Sequence, residues 1–258
     1  IQAKFADEKG HRVVTDYRDC TALTSFEVVH FLGTSWLAVA KMDKAEIITR
    51  HYTRHRRYYA DKLLERLRSA NPAPLQDVLD PPVEGLRVDM DEYRKAGDGE
   101  RLQTIGISTC TGLLLTYPER FAYLAHISPR DKVYGGDQTN LLGQMLKQVK
   151  SFDIRPCEKR GIVFVSVAPH LESLLASIDR LIQEGFLLSQ IRVMFHSQAQ
   201  SAAMHYDYRQ KDLKVVWRLS DKPGNAGFQC MDCAFSIGEI IEDVIQKEEG
   251  SVKTHAMD

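Results

Sequence analysis

The segment Thr104–Pro129, TIGISTCTGLLLTYPERFAYLAHISP, contains one cysteine and one histidine, each inside an apolar run. A cysteine thiolate is a strong nucleophile, and a neighbouring histidine can accept the proton of the thiol. The runs TGLLLTY and FAYLAHI flank a turn that contains proline, so a hairpin would bring Cys110 close to His126. The pattern predicts nucleophilic chemistry at Cys110. The alternative is that Cys110 is a small, inert residue packed in a hairpin.

The elements that must position these residues follow from hydrophobic periodicity in residues 85–220. The runs with the composition of strands are LRVDM, RLQTIGIS, TGLLLTY, FAYLAHIS, GIVFVSVA, QIRVMFHS and LKVVWRL. The runs QTNLLGQMLKQVKSF and HLESLLASIDRLIQEGF have helical periodicity, and Gly185 is a typical helix stop. A mixed sheet packed against two main helices predicts an α+β class, with a layered α/β arrangement.

Residues 1–84 form an extension that we expect to be largely helical. After residue 40, apolar side chains recur at steps of three and four and form one helix face; they are Ile48, Tyr52, Tyr59, Leu63 and Leu67. Tyrosines and arginines share this helix, a composition typical of interfaces, so we expect the helix over 40–68 to bind a protein partner or a second copy of the chain. The proline-rich segment NPAPLQDVLDPPVEG ends the helix. The pattern of residues 221–258 predicts a C-terminal helix followed by a polar tail.

The overall composition excludes several classes of function. The 258-residue chain has a net charge of −1, and carboxylates dilute the cationic run TRHRRYY, so we expect no nucleic-acid binding. No apolar run approaches the ~20 residues of a membrane helix, so we expect no membrane insertion. The five cysteines are irregularly spaced, which argues against a disulfide framework and favours a soluble, cytoplasmic protein.

Two further motifs resemble metal sites without completing one. Cys230 and Cys233 have C-x-x-C spacing, but no second ligand pair lies nearby in the sequence, so metal binding at this pair stays an open alternative. His51 and His55 would share a helix face without an accompanying carboxylate motif. We therefore expect no metal and no cofactor in the chemistry at Cys110.

Three segments resemble the CheD family, the chemoreceptor glutamine deamidases. MDEYRKAGDGERLQTIGISTCTGLLL resembles the family's opening strands, with Thr104, Gly106 and Cys110 in register with its cysteine-bearing strand. AYLAHISP is similar to the next strand, in which a histidine precedes a proline, and KVYGGDQTNLLGQMLKQV resembles the start of the first long helix. The resemblance covers about residues 86–220 and implies a CheD-like deamidase domain over 85–220.

The resemblance implies a Cys110 nucleophile, a His126 base and a supporting Thr104. The implied reaction is hydrolysis of a protein glutamine side chain through a thioester, in chemotaxis or signalling. It also implies a substrate-binding or oxyanion role for Ser108, Thr109 and His196. The cytotoxic necrotizing factor toxins share a Cys–His deamidase core of this kind.

The sequence departs from the family pattern at its glycines. Ser108 and Thr109 occupy the positions of a Gly-Ser pair, and the family's later glycine motifs are replaced by VFVSVAPH and HSQAQSA. Side chains in these places would change how a substrate approaches. The second hypothesis is therefore a non-catalytic CheD-like adaptor that binds partners through its N-terminal extension.

Overall fold

The computed structural model describes residues 10–15, 21–31, 34–70, 74–77, 84–97, 99–117, 120–129, 140–150, 161–167, 171–219 and 226–255. The chain divides into two compact units, residues 1–58 and residues 59–258. This division differs from the predicted boundaries, because residues 59–84 and 221–258 belong to the same unit as the predicted deamidase domain.

The first unit contains an antiparallel sheet of strands β1 (Gly10–Thr15), β2 (Thr21–Phe31) and β3 (Thr34–Asp43). β2 and β3 form a hairpin with continuous pairing from Ala22↔Asp43 to Phe31↔Thr34. This sheet corrects the prediction of a largely helical extension. The run SFEVVHFLGTSWLAVA is rich in β-branched and aromatic residues with a glycine at its centre, a composition that favours two strands over a helix.

One face of this sheet is apolar and exposed. The register places six large side chains on it, and each is between 38% and 71% exposed: Val13, Leu23, Val29, Phe31, Trp36 and Met42. Glu27 lies on the same face. An exposed apolar surface of this extent is uncommon on an isolated protein.

The predicted long helix is present as two helices, α1 (Lys44–Arg54) and α2 (Arg56–Ser69). His55 separates them with φ −117° and ψ 35°. The five residues of the predicted apolar face are all buried. That face is therefore covered within the chain, and a partner of this helix would contact its exposed side, where Tyr58 is 45% exposed.

The second unit contains two six-stranded sheets within the described ranges. The first has the order β15-β11-β10-β8-β9-β6 and the second has the order β4-β14-β13-β12-β7-β5. In chain order the strands are β4 (Gln76–Asp77), β5 (Leu86–Arg87), β6 (Glu92–Ala96), β7 (Arg101–Ile107), β8 (Thr111–Tyr117), β9 (Phe121–Ile127), β10 (Gly161–Ser166), β11 (Ile191–Phe195), β12 (Ala199–Asp207), β13 (Asp212–Leu219), β14 (Ala226–Cys230) and β15 (Phe235–Ser236).

The helices of the second unit after α2 are α3 (Leu141–Lys150), α4 (Leu171–Gln183) and α5 (Ile237–His255). α3 contacts β6 and β9, and α5 contacts β11 and β15, so both pack against the first sheet. β9 is buried along its whole length, as expected for a strand covered on both faces. The arrangement of mixed sheets and helices is compatible with the predicted layered α+β class.

One core cluster joins the two sheets. It contains Leu114 and Leu124 from the first sheet and Leu102, Met204 and Trp217 from the second. Cys110 belongs to the same cluster. The residues predicted to carry chemistry therefore lie at the interface between the two sheets.

Gly106 forms a bulge in β7. Ile105 pairs with Ala203 and Ile107 pairs with Ala202, so Gly106 is an extra residue in this strand. Its φ of 80° is in the left-handed region, which glycine adopts without strain. As a result, Thr104 and Ile107 are both buried although three positions separate them.

Gly112 lies opposite His126 in the β8–β9 pair and has no room for a side chain. A Cβ at this position would lie closer than 3.0 Å to Met204 Sδ and to Ile107 Cδ1. We expect Gly112→Ala to lower the free energy of unfolding by about 1–3 kcal/mol, because an added methyl group must displace packed side chains. Denaturant unfolding measures this change. Gly97→Ala is the matched control, since the nearest atom to its Cβ is at 3.8 Å, and an equal loss in both variants would contradict the packing explanation.

Candidate active site

Thr104 and His126 meet across the two sheets. Thr104 lies on β7 of the second sheet and His126 on β9 of the first, and both side chains are buried. The Thr104 hydroxyl Oγ1 is 2.8 Å from Nδ1 of His126 and 2.8 Å from the carbonyl oxygen of Val88. Val88 follows β5, which pairs with β7. The two sheets are thus connected by a hydrogen-bonded chain through a single hydroxyl.

This chain fixes the tautomer of His126. A threonine hydroxyl has one proton, and Thr104 donates it to the Val88 carbonyl. The same oxygen must then accept a hydrogen bond from Nδ1–H of His126. In the neutral ring, Nε2 therefore has a lone pair. This atom is buried and has no hydrogen-bond partner among the described residues.

Cys110 directly precedes β8 and is 7% exposed. Gly112 pairs with His126 on β9, and Cys110 lies two residues before Gly112, on the same face of a regular strand. Such diagonal neighbours on adjacent strands have Cα atoms ~7–8 Å apart, within the reach of long side chains. The structure confirms the predicted hairpin of β8 and β9, with Cys110 immediately before β8 and His126 on β9.

Other groups contact the thiol itself. The Cys110 Sγ atom is 3.9 Å from Sδ of Met90, and the Thr109 side chain hydrogen-bonds to it. Because Nε2 of His126 has no partner, the structure shows no hydrogen bond between His126 and Cys110. The structure therefore pairs His126 with Thr104, and the thiol with Met90 and Thr109.

Burial sets the protonation states of both groups. It raises the pKa of the Cys110 thiol, although the hydrogen bond from Thr109 acts in the opposite direction. Burial lowers the pKa of His126 below its usual 6.5. At neutral pH the site therefore contains a protonated thiol and a neutral imidazole. This combination suits a general base that removes the thiol proton during the reaction rather than a preformed thiolate.

Asp91 is a residue of this site that sequence reasoning missed. It lies between β5 and β6, and its negative charge acts on both Cys110 and His126. Its φ of 60° is unusual for a residue other than glycine. The sequence did contain a signal for this residue. Aspartate is one of the few residues that tolerate a positive φ, and the segment DMDEY contains two aspartates.

The predicted substrate-binding residues are distributed unevenly around the site. Ser108 and Thr109 are exposed in the bend between β7 and β8, beside the thiol. His196 follows β11, two positions from β8 in the sheet order. Its ring packs against Trp217 with a centroid distance of 5.9 Å. β10 therefore separates the strand that precedes His196 from β8.

The other candidate motifs form no metal site in the described part of the chain. Cys230 ends β14 and Cys233 ends a short 3-10 turn, and both are free thiols of intermediate exposure. The described residues contain no cluster of three or more His, Cys, Asp or Glu side chains suited to a metal ion. His51 and His55 contact each other through their rings. Among the described residues, no helix is both long enough and apolar enough to cross a membrane.

Comparisons with known proteins leave the family open. No protein-family model matches the chain, and no curated protein matches it. The crystal structure of the hypothetical protein YfiH from Bacillus licheniformis aligns with 73% of this chain and 86% of that chain, at 10% identity and a TM-score of 0.32. This likeness is too weak to bear on fold or function. The resemblance to the CheD family is not supported by these comparisons.

Proposed function

We propose that this protein is a cysteine amidohydrolase that converts glutamine side chains of proteins to glutamate. The observation that carries the proposal is the hydrogen-bonded chain from Val88 through Thr104 to His126, which leaves Nε2 of His126 buried, unprotonated and without a partner among the described residues. A buried acceptor without a partner costs free energy, and a catalytic role is one reason for a protein to retain such a group. The thiol of Cys110 lies in the bend immediately before β8, the strand that pairs with β9.

The reaction begins when Cys110 turns towards His126. Nε2 takes the thiol proton, and the sulfur attacks the carbonyl carbon of the glutamine carboxamide. The tetrahedral intermediate then expels ammonia, to which His126 returns the proton. Water attacks the resulting thioester with His126 again as the base, and release of glutamate restores the thiol. Backbone N–H groups of the bend at Ser108 and Thr109 are the proposed oxyanion donors.

The direct test uses the full chain and glutamine-containing protein substrates. We expect the chain to release ammonia and to convert glutamine residues of the substrate to glutamate. Mass spectrometry of the substrate measures this conversion. Prior treatment with iodoacetamide should stop the reaction, because it blocks the thiol. Ammonia release that continues after complete alkylation of Cys110 would rule out the covalent mechanism.

Thr104 tests the role of the hydrogen-bonded chain. Thr104→Val keeps the shape of the side chain but removes the acceptor for Nδ1–H, so the ring loses its fixed tautomer and orientation. We expect kcat to fall by about 10²-fold, at the low end of what general-base catalysis contributes. The measurement is steady-state ammonia release. Thr104→Ser retains the hydroxyl and should retain most of the activity, so a comparable loss in both variants would contradict this role.

A second candidate function is a non-catalytic adaptor or interaction protein that uses the N-terminal extension. Two observations favour it: burial raises the pKa of the Cys110 thiol, and the sheet of the first unit has an exposed apolar face suited to a partner. Ammonia release separates the candidates, because the raised pKa of the thiol predicts slow alkylation of Cys110 at neutral pH in both. No ammonia release would favour the adaptor.

A further inference from the structure

Asp91 contacts the main chain on both sides of Ile127. Its backbone N–H donates to the carbonyl oxygen of His126 at 2.8 Å. Its carboxylate oxygen Oδ1 accepts the backbone N–H of Ser128 at 3.0 Å. These two hydrogen bonds hold the end of β9, which is the segment that carries His126. The left-handed backbone conformation of Asp91 costs free energy. The two hydrogen bonds, which together clamp the end of β9, offset this cost.

The Asp91 carboxylate also acts on the two reacting side chains through its charge. Burial is the main cause of the raised pKa of Cys110, and the charge of Asp91 adds to it. Burial lowers the pKa of His126, and the charge of Asp91 opposes that effect. Asp91 therefore favours a proton on either group. It makes His126 a better base than burial alone would allow.

We propose that Asp91 is a positioning residue that clamps the strand end bearing His126 and stabilises the imidazolium formed when His126 takes the Cys110 proton. This inference rests on the proposed function. In the step concerned, the S–H bond of Cys110 breaks, the proton bonds to Nε2 of His126, and the electron pair stays on sulfur. The carboxylate then holds this proton on the ring until ammonia leaves.

Two other carboxylates near His126 in the described part of the chain, Asp89 and Glu92, interact with arginines. Asp89 accepts a hydrogen bond from Arg87 at 2.7 Å, and both side chains are mostly exposed. Glu92 pairs with His126 in the β6–β9 register and lies 3.8 Å from Arg94. Asp89 raises the pKa of His126 as a smaller contribution than Asp91. Asp91 differs from Asp89 and Glu92 in two respects. Its charge affects the pKa of both Cys110 and His126, and its hydrogen bonds hold the end of β9.

The experiment removes the charge of Asp91 and follows both groups without substrate. Asp91→Asn keeps an oxygen acceptor for Ser128 and tolerates a positive φ. The measurements are the pH dependence of Cys110 alkylation by iodoacetamide, quantified on the Cys110 peptide, and the NMR titration of the His126 ring. We expect both midpoints to move to lower pH by about 0.5 unit, which is the effect of a unit charge ~6 Å away at the dielectric constant of water, ~80.

Asp89→Asn is the matched control. It should lower the His126 midpoint slightly and leave the Cys110 midpoint unchanged. Unchanged midpoints in Asp91→Asn would overturn the inference, whether or not the wild-type chain deamidates glutamine. Shifted midpoints without wild-type ammonia release would overturn the proposed function and still support the electrostatic role of Asp91. If Asp91→Asn does not fold, Asp91→Gly accepts the same backbone conformation and should give the same two shifts.

Discussion

Replacing Cys110 by alanine should abolish ammonia release. The variant lacks the atom that forms the thioester, so we expect kcat to fall by at least ~10⁴-fold, to the level of the uncatalysed background. The fold should survive, because alanine fills most of the space of this small buried residue and the thiol contacts that it loses, with Met90 at 3.9 Å and with Thr109, are weak. Ammonia assays with circular dichroism as the folding check measure both effects.

Cys233 provides the matched control for this substitution. It is also a free thiol, but it lies beyond β14, away from the Thr104–His126 pair. Cys233→Ala should therefore keep full activity. If Cys110→Ala kept activity and Cys233→Ala lost it, the nucleophile would have been assigned to the wrong cysteine.

Replacing His126 by asparagine should cost nearly as much as losing the nucleophile. The buried thiol then has no base, and general-base catalysis contributes up to about 10⁴-fold. The two substitutions should not be additive, since Cys110 and His126 act as one unit. The variant Cys110→Ala/His126→Asn should be no slower than Cys110→Ala alone. His205→Asn is the control, because His205 is another histidine whose pKa is lowered by burial but which lies on β12.

The pH profile gives a second test of His126. Its lone pair is needed for the reaction, so kcat/KM should rise with pH as the ring loses its proton. Burial lowers the pKa of the folded-state ring, and the midpoint should therefore lie below 6.5. The same shift makes the fold less stable in acid, because the unfolded chain binds a proton below pH 6.5 more readily than the folded one. A midpoint above 6.5 would contradict the burial of the neutral ring.

The sequence was sufficient to locate most strands of the second unit. The runs at β7, β8, β9, β10, β11 and β13 are confirmed as strands, because β-branched and large apolar residues dominate each of them. β14 was not anticipated. Its sequence, AGFQC, has little strand propensity, and it pairs with β4 and β13 while Gly227 packs closely on Leu75. β14 therefore depends on tertiary packing, which cannot be inferred from the composition of the strand itself.

The site was predictable only in part for a similar reason. The hairpin of β8 and β9 is a local feature, so the adjacency of Cys110 and His126 could be inferred from their spacing. The contact between Thr104 and His126 joins strands of different sheets, and only the resemblance to a family suggested it. Asp91 was missed because its contribution comes from a positive φ and two main-chain hydrogen bonds, which leave little trace in composition.

The bulge at Gly106 restricts which chain lengths can separate Thr104 from Cys110. A regular strand would turn Gly106 inward and Ile107 outward, whereas the extra residue places both Thr104 and Ile107 in the interior. Deleting one residue at the bulge would move each buried side chain between Gly106 and Cys110 to the surface and each exposed one to the interior. We therefore expect this segment to tolerate a one-residue deletion only together with a one-residue insertion. Related sequences that keep the site should therefore keep the parity of this spacing.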